Sequence, residues 1–300
     1  MKTVLSVMAA PALTLSSARV SDYVQLTRPR MALMVLLTVL LGGWLASVGA
    51  VPVNLLMHAV IGTALVTAAA SALNQYFERE TDARMARTAN RPLPAGRLTP
   101  AEVLTFAIAT ALGGLTYLFL MLPQATAGLV TAFTFASYVG LYTPAKRVTS
   151  LNTLIGAVPG ALPPVIGWTA VRGELDAGAI ALFLLLFVWQ VPHFLAIAWM
   201  YREDYARAGH RMLTVADPAG DATARHMLLY LLALVPVSLL PLRVMHVGPV
   251  FAAGALILAA YFLAPVLRFR RERSVAAARA VLKASLIYLP GLLGLLLICK

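Results

Sequence analysis

NQYFERETDARMARTANRPL, residues 74–93, leaves an apolar run long enough to cross a membrane and turns at once into densely charged sequence. Asn74, Glu78 and Asp82 are spaced four apart, so a helix carries them on one face. An amide and two carboxylates on one face form an oxygen-rich patch that suits a hard divalent cation such as Mg2+. Arg84, Arg87 and Arg91 follow closely, and their guanidinium groups suit phosphate oxygens. The stretch reads as a metal–diphosphate site at the mouth of a membrane helix bundle. A solvated helix end with topology-setting arginines looks similar in composition. The alignment of the amide and the acids, which starts inside the last apolar turn, argues for the site.

The chain around this stretch is a membrane protein by composition. Of its 300 residues 60% are hydrophobic and 12% are charged, too few to coat a soluble surface. Nine apolar segments cover roughly residues 31–51, 54–77, 103–122, 125–142, 151–170, 178–201, 227–242, 249–267 and 281–299. With the N-terminus in the cytoplasm and alternating spans, 21 of the 24 Lys and Arg fall on or beside the inner side. Only Arg172, Arg243 and Lys300 are left outside, the asymmetry expected of nine spans. The fold class expected is therefore all-α, one polytopic bundle of nine helices around a central cavity. The net charge of +12 fits loops facing an anionic leaflet, and no nucleic-acid partner is expected. A single cysteine, Cys299, excludes a disulfide framework. The start, residues 1–18, faintly resembles a secretory leader but is broken by Pro11. Residues 1–26 are expected to be an uncleaved cytoplasmic tail and residues 27–300 the bundle domain.

Three further polar groups lie toward the same face. WQVPHFLAIAWMYREDYARAGHRML, residues 189–213, places Gln190 and His193 inside an apolar run next to Pro192. Polar residues within a membrane are costly and mark candidate function. Glu203 and Asp204, about three turns on, are candidates for a second acidic wall across the cavity. YTPAKRVTSLN, residues 142–152, pairs Lys146 with Arg147 and opens the next span at Asn152. A basic pair near a helix N-terminus favours bound phosphate. The following VPGALPPVIGW, residues 158–168, is too irregular to face lipid and should line a cavity or pack closely. LTRPR, residues 26–30, places Arg28 and Arg30 at the inner end of the first span, which positive-inside topology accounts for. Together the groups suggest metal-assisted loss of diphosphate, with a lipid tail lying among apolar helices that exclude water.

With these blocks in order, the sequence resembles the UbiA intramembrane prenyltransferases, and within them the branch that makes heme O. NQYFERETDARMARTANRPLPAG is similar to the family's first acidic signature, and the 142–168 and 189–213 blocks resemble the next two. QLTRPRMALM resembles the opening block, so the likeness covers most of residues 22–215. The resemblance implies Mg2+-dependent transfer of farnesyl from farnesyl diphosphate to the 2-vinyl group of protoheme IX. It implies that Asn74, Glu78 and Asp82 hold the metal, that Arg87 and Arg91 belong to the same catalytic block, and that Lys146 and Arg147 grip diphosphate. Glu203 and Asp204 match the second acidic block, and His193 is the candidate haem contact. Two departures stand out: Glu78 occupies the middle acidic position, and YREDY replaces a DxxxD-type array. The setting implied is a bacterial inner membrane with the active face cytoplasmic. Membrane lipid is a partner there, and a haem A synthase or an oxidase assembly factor is a candidate partner. The competing readings are transfer to an aromatic quinone precursor and, from another class, a transporter or an oxidase assembly factor. A transporter would set polar residues at mid-membrane and on both faces, whereas here they gather on one.

Overall fold

A computed structural model describes residues 17–245 and 247–300. The leader-like start, residues 1–16, lies outside them. The described part of the expected tail is a helix, α1 (Ser17–Leu26). It is docked on the bundle: Leu26 packs with Leu93, Leu98 and Val103, and Gln75 donates to the Leu26 carbonyl at 2.8 Å. Arg97 Nε donates to Asp22 Oδ1 at 2.7 Å, tying α1 to the loop below.

After α1 come α2 (Pro29–Ala46), α3 (Val53–Asp82) and α4 (Pro100–Met121). Next, α5 (Thr126–Ala136) runs through a π-helical stretch, Ser137–Tyr142, into α6 (Thr143–Val148). The pair α7 (Asn152–Ala161) and α8 (Pro163–Arg172) leads to α9 (Ala177–Met200), α10 (Arg202–Arg207) and α11 (Leu213–Ala216). The chain closes with α12 (Asp221–Ser238), α13 (Pro241–Val244), α14 (Pro249–Glu272) and α15 (Val275–Cys299). Among the described residues there is no strand. Eight stretches of the described residues are long and apolar enough to cross a membrane as they stand. The remaining expected span is the composite from α5 to α6, whose π-helical insertion interrupts one continuous helix. Such insertions shift side chains around the axis and are frequent at functional sites. Tyr138 and Tyr142, both within this one, face the same cavity.

Helix α3 positions the polar block. Its 30 residues extend about 45 Å at 1.5 Å each, well beyond a hydrocarbon layer of about 30 Å. Its last two and a half turns, roughly, therefore carry Asn74, Glu78 and Asp82 toward the edge of the apolar layer and beyond it while staying helical. The next helix is fixed independently: Thr99 and Glu102 form a reciprocal capping box at the start of α4. The irregular 158–168 segment breaks at Leu162, between α7 and α8, and residues 161–170 are all buried in protein. This is the expected solution, because backbone groups freed by proline cannot be left facing lipid. Close approach makes the packing possible. A Cβ on Gly42 of α2 would overlap the Pro164 carbonyl, and one on Gly167 of α8 would overlap the Val39 carbonyl. The far half of the bundle packs α9, α12, α14 and α15 around Phe251, Phe262, Phe269 and Tyr288. Lys300 Nζ reaches back to the Ser47 carbonyl at 2.8 Å and so closes the last helix onto the end of α2.

Candidate active site

The three residues singled out on α3 are almost fully buried: Asn74 and Asp82 are 0% exposed and Glu78 is 5% exposed. Each is paired with a cation from a different element. Arg28 Nη2 donates to Asn74 Oδ1 at 2.9 Å. Lys146 Nζ donates to Glu78 Oε1 at 2.7 Å. Arg91 Nη1 donates to Asp82 Oδ2. The amide of Asn74 also donates to Thr143 Oγ1 at 3.3 Å. Buried carboxylates without partners would be very costly, so the fold neutralises them internally.

Glu78, Asp82 and the three cations head a cavity of about 370 Å3, whereas Asn74, buried between Arg28 and Thr143, does not line it. Glu78, Asp82, Arg28, Arg87, Arg91 and Lys146 lie in its polar end. Four cations against two carboxylates leave an excess of positive charge, which suits a polyanion. Below them the walls turn apolar, with Met31, Val35, Val66, Phe135, Phe194 and Ile197. The chamber therefore offers a charged head and a greasy shaft to one ligand.

Aromatic rings shape the head. Lys146 Nζ stands 4.5 Å from the Tyr142 ring centre, and Arg87 stacks on Tyr201 and Tyr205 at 5.3 and 5.1 Å. Cation–π contacts of this kind hold a charged group in place while leaving its N–H donors available. Burial, foremost, pushes His210 in the wall down to about 4, so its imidazole is neutral at pH 7.

The donor set fits Mg2+. Among the described residues no cluster of three His, Cys, Asp or Glu exists. Mg2+ needs no such cage, because it takes one or two carboxylates and completes its shell with water and phosphate oxygens. Asp82 Oδ1 is buried and has no hydrogen-bond partner, the condition of an oxygen kept for a ligand.

The other sequence candidates are distributed differently. Arg147 donates to the Phe77 carbonyl at 3.2 Å on the exposed side of α6 and does not line the cavity. Asn152 is buried, and its amide donates to the Thr149 and Arg211 carbonyls at 2.6 and 2.9 Å, pinning two loops together. Glu203 is exposed, Asp204 pairs with Arg207 of its own short helix, and neither lines the cavity. The second acidic wall expected across the cavity is therefore absent from its lining. Arg84 and Arg30 are exposed.

His193 does not line this cavity but faces α15, where its Nδ1 lies 2.8 Å from Ser285 Oγ. Ser285 Oγ donates to the Leu282 carbonyl at 2.7 Å, so it accepts from His193 and sets the Nδ1–H tautomer. Nε2 then keeps its lone pair, and the ring is held by stacking on Trp189 at 4.9 Å. Gln190 is occupied structurally, donating to the Ala157 carbonyl at 2.8 Å.

Sequence reading assigned Arg28 to topology and missed Tyr138, Tyr142, Tyr205 and His210 in the cavity wall. Arg28 carried a signal in its position before Pro29. Its backbone is left-handed, with φ 51°, an outlier for a non-glycine residue that turns its side chain onto Asn74. The tyrosines and His210 carried none, because only the fold brings their segments to α3.

Residues 35–287 match the model of the UbiA prenyltransferase family. The sequence is 45% identical to the protoheme IX farnesyltransferase of Solibacter usitatus (strain Ellin6076), over 92% of this chain and 98% of that one. It is 44% identical to the protoheme IX farnesyltransferase of Myxococcus xanthus (strain DK1622), over 92% and 93%. The fold is similar to a digeranylgeranylglyceryl phosphate synthase, with TM-score 0.78, 16% identity and 93% and 98% of the two chains covered. It is also similar to a UbiA homolog from Archaeoglobus fulgidus bound to GPP and Mg2+, with TM-score 0.59, 17% identity and 89% and 85% covered.

Proposed function

The chain belongs to the UbiA prenyltransferase family, and from that premise we infer that it transfers farnesyl from farnesyl diphosphate to protoheme IX, giving heme O and diphosphate. Relatives that match 92% of its length carry that activity in their names. The observation that supports it in this molecule is the head of the chamber, where Arg28, Lys146 and Arg91 pair with Asn74, Glu78 and Asp82 above an apolar shaft.

The residues act by exchanging partners. An incoming diphosphate draws Lys146, Arg91 and Arg28 onto its oxygens, with Arg87 closing over it. Glu78 and Asp82, with Asn74 behind them, would hold Mg2+, and the ion would supply neutralisation of the charge growing on the leaving group. The allylic C–O bond breaks and its electron pair leaves with diphosphate. The 2-vinyl group supplies the electrons of the new C–C bond. Water then quenches the porphyrin-side cation, and its proton is lost to the diphosphate. Phe135, Phe194 and Ile197 keep the shaft dry until the acceptor attacks.

His193 is the proposed haem contact, since a fixed imidazole with a free Nε2 lone pair suits haem iron. Its Ala variant should raise the KM for protoheme severalfold and leave that for farnesyl diphosphate unchanged; equal effects on both would remove the assignment. The charge asymmetry supports a plasma-membrane enzyme, the bacterial inner membrane, with its chamber opening to the cytoplasm. Labelling of the sole cysteine, Cys299, by an impermeant maleimide from the outer side tests that orientation. The farnesylated product stays in the lipid, so a haem A synthase or oxidase assembly factor would meet it there.

The test is turnover by purified protein supplied with protoheme IX, farnesyl diphosphate and Mg2+, with and without EDTA. A metal-dependent product with the mass of heme O is expected. No product from folded protein, followed by turnover of an aromatic acceptor, would redirect the assignment to quinone precursors.

A further inference from the structure

His210 lines the charged head of the chamber but has no part in the chemistry above. It is 3% exposed, and its Nδ1 is buried without a hydrogen-bond partner. Few native buried polar atoms are left so, and those that are call for a partner the protein itself does not provide.

Its position is held rigidly. His210 N donates to the Tyr205 carbonyl at 3.0 Å. The next residue is clamped from both sides: Arg211 N donates to the Lys146 carbonyl at 2.7 Å, and Asn152 Nδ2 donates to the Arg211 carbonyl at 2.9 Å. The ring meets Tyr205 edge-on, with centres 5.9 Å apart. The loop after α10 is thereby fastened to the segment that carries Lys146, whose ammonium sits on Glu78. Glu78, Lys146, Arg147 and Arg87 are the charged groups in electrostatic reach of the imidazole. Its surroundings are thus the diphosphate end of the chamber and not the apolar shaft.

We propose that His210 is a further substrate-contacting residue, donating a hydrogen bond from its imidazole N–H to a diphosphate oxygen gripped by Lys146 and Arg87. A neutral imidazole offers one donor and one acceptor. It adds direction to a site already rich in positive charge without adding more. The clamp from Asn152 explains how a residue outside the cavity lining serves this contact: it fixes the loop that aims the ring. This inference rests on the farnesyl diphosphate reading.

The probe is inorganic diphosphate with Mg2+, titrated calorimetrically into the full chain in detergent, with protoheme binding followed separately by its Soret band. His210→Phe keeps the ring against Tyr205 but removes the donor. It should weaken diphosphate binding about tenfold and leave the Soret titration unchanged. His210→Asn, which restores an N–H donor, should recover most of that loss. Should His210→Phe fail to fold, judged by its thermal melt, His210→Leu carries the same comparison. Wild-type diphosphate affinity in the folded donor-free variant overturns the proposal. So does a lost Soret titration with diphosphate binding intact, which would put the imidazole on the acceptor. Asp82→Asn run in parallel separates the two levels. If the wild type binds no Mg–diphosphate, or binds it no better than Asp82→Asn, the underlying reading fails and not merely the role of His210.

Discussion

Two acidic groups at the ends of membrane helices meet opposite fates in this molecule. Glu78 and Asp82, at the end of α3, are buried, and each is paired with a cation drawn from another part of the chain. Glu203, beyond α9, is exposed, and the half-buried Asp204 is paired with Arg207 three residues on. In sequence the two groups look alike, acids just past an apolar run. The difference is burial against other segments. Lys146 is 68 residues from Glu78 and Arg28 is 46 residues from Asn74, while Arg91, nine residues from Asp82, reaches it from the loop beyond α3. Local pairs on an exposed helix contribute little and need no fold. Long-range pairs in a cavity exist only because tertiary packing assembles them, and there a substrate can replace one partner.

The largest effect should come from Asp82→Asn. Loss of a metal ligand with an otherwise unpartnered oxygen should cut kcat by about 10^2 to 10^3, and loss of the charge facing Arg91 should also lower the melting temperature of a protein that still folds. Near-normal turnover at saturating Mg2+ would dissolve the contrast between the two groups. Lys146→Met strands the Glu78 carboxylate in a buried site, and removing one partner of a buried pair costs about 3 kcal/mol or more. A clear drop in melting temperature is therefore expected in the ligand-free protein, together with a raised KM for farnesyl diphosphate.

A subtler consequence concerns binding order. Mg2+ alone must compete with Lys146 and Arg91 for the carboxylates, and diphosphate alone must compete with the carboxylates for the cations. Each should therefore strengthen the other's binding, by about tenfold or more, in paired calorimetric titrations. Independent affinities would show that the ion pairs are not exchanged. The smallest effect should belong to the double variant Glu203→Gln with Asp204→Asn, whose turnover should stay within about threefold of wild type, as surface substitutions usually do. A loss as deep as that of Asp82→Asn would make the outer acids a second metal site reached only in the loaded state.

The bundle itself was legible in the chain, because membrane helices announce themselves by local quantities, apolar length and charge at the ends. So was the α3 face, since a four-residue spacing is a local property of a helix. The composite fourth span was legible as an apolar run, but its π-helical stretch was not, because whether a turn widens to i→i+5 bonding depends on its neighbours. The site divides along the same line. Its acids and its candidate basic residues could be named from the sequence, yet their pairings could not. Arg28 read as a topology residue until the left-handed turn before α2 brought it to Asn74. Lys146 and Arg147 were indistinguishable neighbours until α6 pointed one into the chamber and the other to the Phe77 carbonyl. By itself the sequence determined the spans, the charged face and the family. Only the tertiary structure decided which cation meets which acid, which acids stay dry, and that His210 stands among them. Those outcomes depend on contacts between distant segments, and no local pattern encodes them.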